Sequence, residues 1–269
     1  MREILESDIR QRLPPPRPRD AHKYSFGRLQ LIAGSASYPG AARLCALGAF
    51  KAGCGYVCLD TEAPLEILRD LPEVIPAFSP DCDAFVVGPG LDARWNADRL
   101  RMSLNDIDPS KPLLLDGSAL GFFGELKLGH RKNLVLTPHE GEFSKILGAE
   151  WPVARIREDR EAAVRHFSKD YPHGTLLLKG PSSLISSGGA MWVLHRGNAS
   201  MATAGQGDLL SGVIGAYLAL GLGPENATLL GASLCAISAE ILSAQGESQG
   251  VLAHEVADEI PVLLASLRQ

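Results

Sequence analysis

Five short apolar runs in this chain finish alike, and that repeated ending narrows the fold more than any other feature. Leu29-Gln-Leu-Ile-Ala33 runs into Gly34, and Ala84-Phe-Val-Val87 into Gly88-Pro-Gly90. Leu113-Leu-Leu115 ends at Asp116, Leu134-Val-Leu136 at Thr137, and Thr175-Leu-Leu-Leu178 at Lys179. Such runs read as buried strands bounded by glycine or polar residues. Helical stretches alternate with them. A small-residue helix is expected from Gly40 to Gly53, before a strand at Tyr56–Leu59, and a charge-laced amphipathic helix from Val153 to Asp170. Ser183–Ser187 and Met191–His195 flank Gly188-Gly189 as a hairpin. Further helices are expected from about Pro224 to Ala244 and from Leu252 to Leu267. The pattern predicts a three-layer α/β/α fold around a central, mostly parallel sheet. Ligands of such sheets bind beyond the carboxyl ends of the strands, so all five endings should share one face.

The 269 residues, 45% hydrophobic, suffice for one large core, and a single domain over 1–269 is expected, with 1–20 as an N-terminal arm. Leu13-Pro-Pro-Pro-Arg-Pro-Arg19 cannot be helix or central strand and suggests an extended arm lying on a neighbouring subunit. With the apolar last helices it points to a homo-oligomer, a tetramer being one candidate size. A net charge of −5 without a dense Lys/Arg run argues against nucleic acid as partner. No apolar run of membrane-spanning length and no signal-peptide core are read, so neither membrane nor export is expected. The five cysteines lie in apolar surroundings and read as reduced core residues of a cytoplasmic protein.

The chemistry is placed at Gly205-Gln206-Gly207-Asp208 and the apolar helix behind it. Glycines let the backbone turn sharply and approach a ligand. The amides of Gly205, Gln206 and Gly207, with the helix N-terminus, form a site for an anion such as phosphate. Asp208 has two readings, dipole compensation in the first turn or a general base beside a phosphate-transfer site. Leu209, Leu210, Val213, Ile214, Tyr217 and Leu218 surround the helix with apolar side chains and favour the second.

Other strand ends carry candidates. Gly88-Pro-Gly90 reads as a tight turn that also lets a ligand lie against backbone. Asp116 is evenly poised between an N-cap and a ligand for a cation or water. In Thr137-Pro-His-Glu-Gly-Glu142, His139 is favoured as a ligand contact, and Glu142 would either hold Mg²⁺ through water or start a helix. Lys179-Gly180-Pro181-Ser182-Ser183 suggests a nucleotide contact. No Walker A, Rossmann, Ser-His-Asp, His-Glu-x-x-His or paired-cysteine signature is present.

Together the motifs resemble the ADP-dependent NAD(P)H-hydrate dehydratases, a branch of the ribokinase-like superfamily. The matching stretches include Ile32-Ala-Gly-Ser35, Pro39-Gly-Ala-Ala-Arg-Leu44, Val87-Gly-Pro-Gly-Leu91, Leu136-Thr-Pro-His-Glu-Gly-Glu-Phe143, Leu178-Lys-Gly180 and Gly197 to Gly212, spread over nearly the whole chain. Gly-Asp before a buried helix is shared by many sugar and vitamin kinases. Thr-Pro-His-x-Gly-Glu with Gly-Asn-x-x-Met-Ala is narrower. The resemblance implies transfer of the ADP β-phosphoryl group to the ring hydroxyl of hydrated NADH or NADPH, then loss of phosphate, giving NAD(P)H, AMP and phosphate. It places Ala41, Gly90, His139 and Asp208 against the hydrated nucleotide, with Asp208 as base. Lys179, Gly180, Pro181, Ser182, Ser183 and Gly207 fall on the adenine-nucleotide side. Three stretches depart from the family: Asp116-Gly-Ser-Ala-Leu120 lacks its second carboxylate at Ser118, Lys179-Gly-Pro-Ser-Ser183 replaces Lys-Gly-Ala-x-Thr, and Ala204-Gly-Gln-Gly-Asp208 replaces Gly-Gly-x-Gly-Asp. The 269 residues are expected to be taken up by the dehydratase portion, without the epimerase domain often fused to it. The alternatives are a small-molecule kinase of the same superfamily, of hydroxyethylthiazole or hydroxymethylpyrimidine type, and a nucleotide-binding protein without catalysis, for which only Ser118 speaks.

Overall fold

The computed structural model describes residues 1–95, 97–244 and 250–269. Its strands are β1 (Arg2–Glu3), β2 (Arg28–Ile32), β3 (Tyr56–Asp60), β4 (Ala84–Val87), β5 (Leu113–Leu115), β6 (Leu134–Leu136), β7 (Thr175–Leu178), β8 (Ser183–Ser187) and β9 (Ala190–Leu194). They form one nine-stranded sheet in the order β1-β9-β8-β7-β6-β5-β4-β2-β3. The neighbours from β3 through β7 pair in parallel, and β8 pairs antiparallel with both β7 and β9.

The apolar runs are continuous because helices cover both faces, and successive side chains alternate between two cores. Leu29, Leu31, Val86, Leu114, Val135 and Leu177 pack with the helices Pro39–Lys51, Gln206–Ala219, Pro224–Ala244 and Ala253–Leu267. Ile32, Phe85, Val87, Leu113, Leu115 and Leu136 pack on the opposite side with Leu100, Phe143, Val164 and Phe167 of the helices Ala97–Asn105, Glu140–Leu147 and Arg160–Asp170.

The expected helix over 153–170 is two helices, Val153–Glu158 and Arg160–Asp170. Asp159 breaks it: its backbone leaves the helical region (φ −144°, ψ 84°), and its side chain accepts from the Ala162 amide as the N-cap of the second piece. The first residues are a strand, β1, joined in parallel to β9, before a short helix Glu6–Arg10. The proline arm lies on its own chain: Arg17 donates to the Gly53 carbonyl at 2.5 Å, and Arg268 to the Pro14 carbonyl at 3.2 Å. The helix Pro224–Ala244, 21 residues, is long and apolar enough to cross a membrane, contrary to the sequence expectation, with an 18-residue window of mean hydropathy 1.6, but 72% of that window is buried inside the protein.

The helix pair Pro39–Lys51 and Gln206–Ala219 sets the floor of the site, and its backbones touch. A Cβ on Gly212 would stand 1.8 Å from the Cys45 carbonyl oxygen, and one on Gly48 2.5 Å from that of Leu209. Neither obstacle is a flexible side-chain end. Gly212→Ala is therefore expected to lower stability by about 1–3 kcal/mol or more through overpacking, whereas Gly40→Ala, which meets nothing within 4 Å, should be neutral or slightly stabilising. Urea midpoints of the two variants check this.

Candidate active site

The strand endings meet as anticipated. The Gly34 amide donates to the Pro89 carbonyl at 2.7 Å, and the Lys179 amide to that of Pro138 at 2.9 Å. Gly88 (φ +122°) packs so closely on Asp116 that a Cβ would lie 1.8 Å from its carbonyl oxygen. Thr137 turns away from the face, donating to the Leu115 carbonyl.

At the centre of this face lies a buried polar cluster. Lys179 reaches back from the end of β7, and its Nζ is 2.8 Å from Asp116 Oδ1 and 4.0 Å from Glu142 Oε2. Asp116 Oδ2 accepts from Ser211 Oγ at 2.8 Å. Asp116 therefore does not cap the turn that follows; its carboxylate is spent on Lys179 and Ser211. Burial works against the Lys179 charge, but Asp116 and Glu142 outweigh it and raise its pKa. Glu142 is pushed up by burial, with Lys179 opposing and Asp116 adding to the shift.

Of the cavities bordering the cluster, one of about 390 Å³ lies between His139, Glu140, Arg157 and Pro181, and two flank the helix Gln206–Ala219. The larger, about 660 Å³, is bounded by Lys179, Gly180, Pro181, Ser182, Ser183, Gln206 and Gly207, with apolar walls from Leu210, Met201 and Ala236. The smaller, about 460 Å³, is bounded by Ala41, Gly90, Ser118, His139, Glu142 and Asp208. The first turn of the helix Gln206–Ala219 divides them, with Gly207 on one side and Asp208 on the other. A Cβ on Gly207 would lie 3.3 Å from Lys179 Nζ and 3.8 Å from Asp116 Oδ2, so this glycine faces the cluster directly.

One expected site residue lies elsewhere. Gly205 borders neither cavity; it turns at φ +93°, and a Cβ there would meet Leu44 Cδ1 at 2.4 Å. Its close approach is to the neighbouring helix. His139 is the N-cap of Glu140–Leu147, its Nδ1 accepting from the amides of Gly141 (3.0 Å) and Glu142 (3.3 Å). With Nδ1 accepting, Nε2 is the donor of the ring; it stands 3.6 Å from Glu142 Oε1 at the edge of the smaller cavity. Glu142 returns the cap, its Oε2 accepting from the His139 amide at 2.9 Å. Ser118 Oγ donates to the Leu91 carbonyl at 2.6 Å.

Among the described residues no group of three or more His, Cys, Asp or Glu side chains is arranged to hold a metal ion. Glu142 is committed to its cap, and Lys179 fills the space between Asp116 and Glu142. A Mg²⁺ ion here would rely on phosphate oxygens and water, as Mg²⁺ does in nucleotide sites, with Glu142 as an outer contact.

The sequence profile of NAD(P)H-hydrate dehydratase matches residues 29–262. The chain belongs to that family. It is 35% identical over 275 aligned positions to the ADP-dependent (S)-NAD(P)H-hydrate dehydratase of Neisseria meningitidis serogroup B, covering 95% of this chain and 91% of that one. The structure resembles the ADP/ATP-dependent NAD(P)H-hydrate dehydratase of Bacillus subtilis co-crystallized with ATP/Mg²⁺ (TM-score 0.86, 27% identity, 99% and 98% of the two chains). A ribokinase-like superfamily protein of Enterococcus faecalis shares the fold (TM-score 0.87, 24% identity, 100% and 96% of the chains). The family match favours dehydration over the kinase reading.

Within this dehydratase fold, Asp116 and Ser211 complete a constellation that the strand-end pattern had only half disclosed. The signal for Asp116 was its place at the end of β5; that for Ser211 was a polar residue inside an apolar helix. Asp208 forms neither hydrogen bond nor ion pair through its side chain among the described residues. Burial first, then the Asp116 charge, lift its pKa from 3.8 to about 6. A dipole contact with the helix would be worth about 0.3–1 kcal/mol, less than the penalty implied by a shift of that size. Between pH 4 and 6 the native state binds the proton more tightly than the unfolded chain, so stability falls as pH rises and the penalty is complete above about 6. Asp208→Asn should therefore be more stable than the parent at pH 8, by roughly 1–3 kcal/mol, and gain little at pH 4. Thermal melts at both pH values check it.

Proposed function

We propose that this chain dehydrates hydrated NADH or NADPH at the expense of ADP. The observation that carries this reading is the pair Gly207 and Asp208: consecutive residues on one helical turn that border two separate cavities, one fit for a nucleotide and one for a second ligand. The phosphoryl donor occupies the larger cavity and the hydrated dinucleotide the smaller, so the ring hydroxyl and the β-phosphorus meet at the helix N-terminus.

Hydroxide is a poor leaving group, and phosphorylation makes it a good one. Asp208, ionised above pH 6, takes the hydroxyl proton as that oxygen attacks the β-phosphorus and AMP departs. The Gly207 amide and the helix dipole stabilise the charge developing on the phosphoryl oxygens, with Lys179 beside them. Loss of phosphate and a ring proton then restores the ring double bond. His139 offers Nε2–H to the hydrated nucleotide, and Ala41 and Gly90 let it lie close to backbone. The carboxylates of Asp116 and Asp208 beside Lys179 are a source of repulsion for an arriving phosphate. Mg²⁺ accompanying the nucleotide would offset it by neutralising phosphate charge.

The test is recovery of NADH absorbance on mixing the protein with hydrated NADH, Mg²⁺ and either ADP or ATP. A phosphorylated product that accumulates without NADH would instead mark a kinase. Asp208→Asn should cut turnover by about 10²–10⁴ with nucleotide affinity nearly unchanged. Gly207→Val should lose nucleotide binding itself, because a branched side chain would fill the approach to the phosphate. Full turnover from folded Asp208→Asn refutes the base assignment.

The buried thiols suit a cytoplasmic protein. A homo-oligomer, a tetramer among its candidate forms, is supported by the exposed stretch 15–19 of the proline arm and by the exposed Leu252 and Val262 at the last helix. Sedimentation at micromolar concentration should give a mass above that of the monomer, and a monomer refutes it.

A further inference from the structure

The loop after β7 borders the larger cavity in a shape that its own sequence does not favour. Ser182 has φ +51°, a left-handed conformation uncommon for a residue with a Cβ, and Gly180 has φ +144°. What holds this shape comes from the other side of the chain. Arg160, at the start of the helix Arg160–Asp170, turns its guanidinium into the loop and donates to four of its carbonyls. Nη2 reaches those of Leu178 and Lys179, each at 3.1 Å, and Nη1 those of Ser182 at 3.1 Å and of Pro181. Gly180 makes room for it, since a Cβ there would lie 2.8 Å from Nη2. Glu140 Oε1 stands 3.6 Å from Arg160 Nε and balances part of the charge.

Arg160 borders neither of the two cavities, so it acts through the loop. A trans peptide is planar, with its N–H opposite its C=O. When the Lys179 and Pro181 carbonyls point at the guanidinium, the amides of Gly180 and Ser182 point away from it. Successive amides presented in this way form a concave donor for an anion. We propose that Arg160 is a positioning residue for the nucleotide: by drawing the carbonyls of Leu178, Lys179, Pro181 and Ser182 to one side, it turns the Gly180 and Ser182 amides toward a nucleoside diphosphate in the larger cavity. The inference rests on the reading of that cavity as the ADP site. Lysine is not an adequate substitute, because an ammonium lacks the planar fork that reaches four carbonyls from one position.

The test is calorimetric titration of ADP with Mg²⁺ into the parent protein, Arg160→Lys and Arg160→Gln, beside thermal melts and steady-state KM for hydrated NADH. Both variants should bind ADP about tenfold or more weakly, since a loop freed from its tie must be ordered by the ligand. KM for hydrated NADH should stay within about threefold, because the smaller cavity keeps its contacts. A merely structural arginine would lower the melting temperature and leave ADP affinity in the folded variants within about threefold, which overturns the proposal. If Arg160→Gln fails to fold, Arg160→Lys decides; if neither folds, the guanidinium is a fold element and the proposal falls. A parent protein that binds ADP without regenerating NADH refutes the dehydratase reading alone. A parent that does not bind ADP refutes both.

Discussion

Lys179 ends β7 with its ammonium turned inward, and the face of the sheet is arranged around that buried charge. A cation placed there alone would shed its proton; Asp116 at 2.8 Å keeps it charged. Such a pair is weak evidence for stability, since desolvation offsets much of the attraction, but it is unforgiving: removal of one partner typically costs about 3–5 kcal/mol. What the pair supplies is placement. It ties the end of β7 to the end of β5 across β6, and through Ser211 it ties both to the helix Gln206–Ala219. The carboxylate left over in this arrangement is Asp208. Burial first, then the Asp116 charge, lift its pKa to about 6 against the opposing charge of Lys179, so a base titrating near 6 follows from its position beside the pair.

The sheet was readable because each strand advertises both its burial and its end. Five runs without alternation predict two covered faces, and a glycine, carboxylate, threonine or lysine after each predicts a shared rim. Gly207 and Asp208 were readable for the same reason, as small and charged residues opening a helix that is apolar all round. These signals are local, and they survive into the structure because nothing in the tertiary packing opposes them.

What escaped was the partner that each residue takes up. Asp116 could be left only as a cap or a cation ligand, because its partners lie 63 and 95 residues away. His139 was expected to touch a ligand, and its neighbouring glutamates disguised a capping box formed with Glu142. Gly205 resembled a phosphate-loop glycine; its φ of +93° accounts for the residue type, and it borders neither cavity. The break at Asp159 was hidden because helical periodicity counts apolar positions and cannot register an aspartate that caps from inside the pattern. In each case the residue type was informative and its partner was not.

The division of the site into two cavities has a geometric origin. Consecutive residues on an α-helix project about 100° apart, so neighbours in sequence face different directions while their Cα atoms stay 3.8 Å apart, roughly. Gly207 and Asp208 use that angle: one presents bare backbone to the larger cavity, the other a carboxylate to the smaller. Two loops could bring the same groups together only by holding both against thermal motion. A single buried helical turn does so with one backbone, provided that the helix cannot rock. Gly212 and Gly48 supply that condition, since the contact they permit seats the helix directly on its neighbour, less than two turns from the reacting groups. The close packing of the core and the separation of the two ligands are thus parts of one constraint.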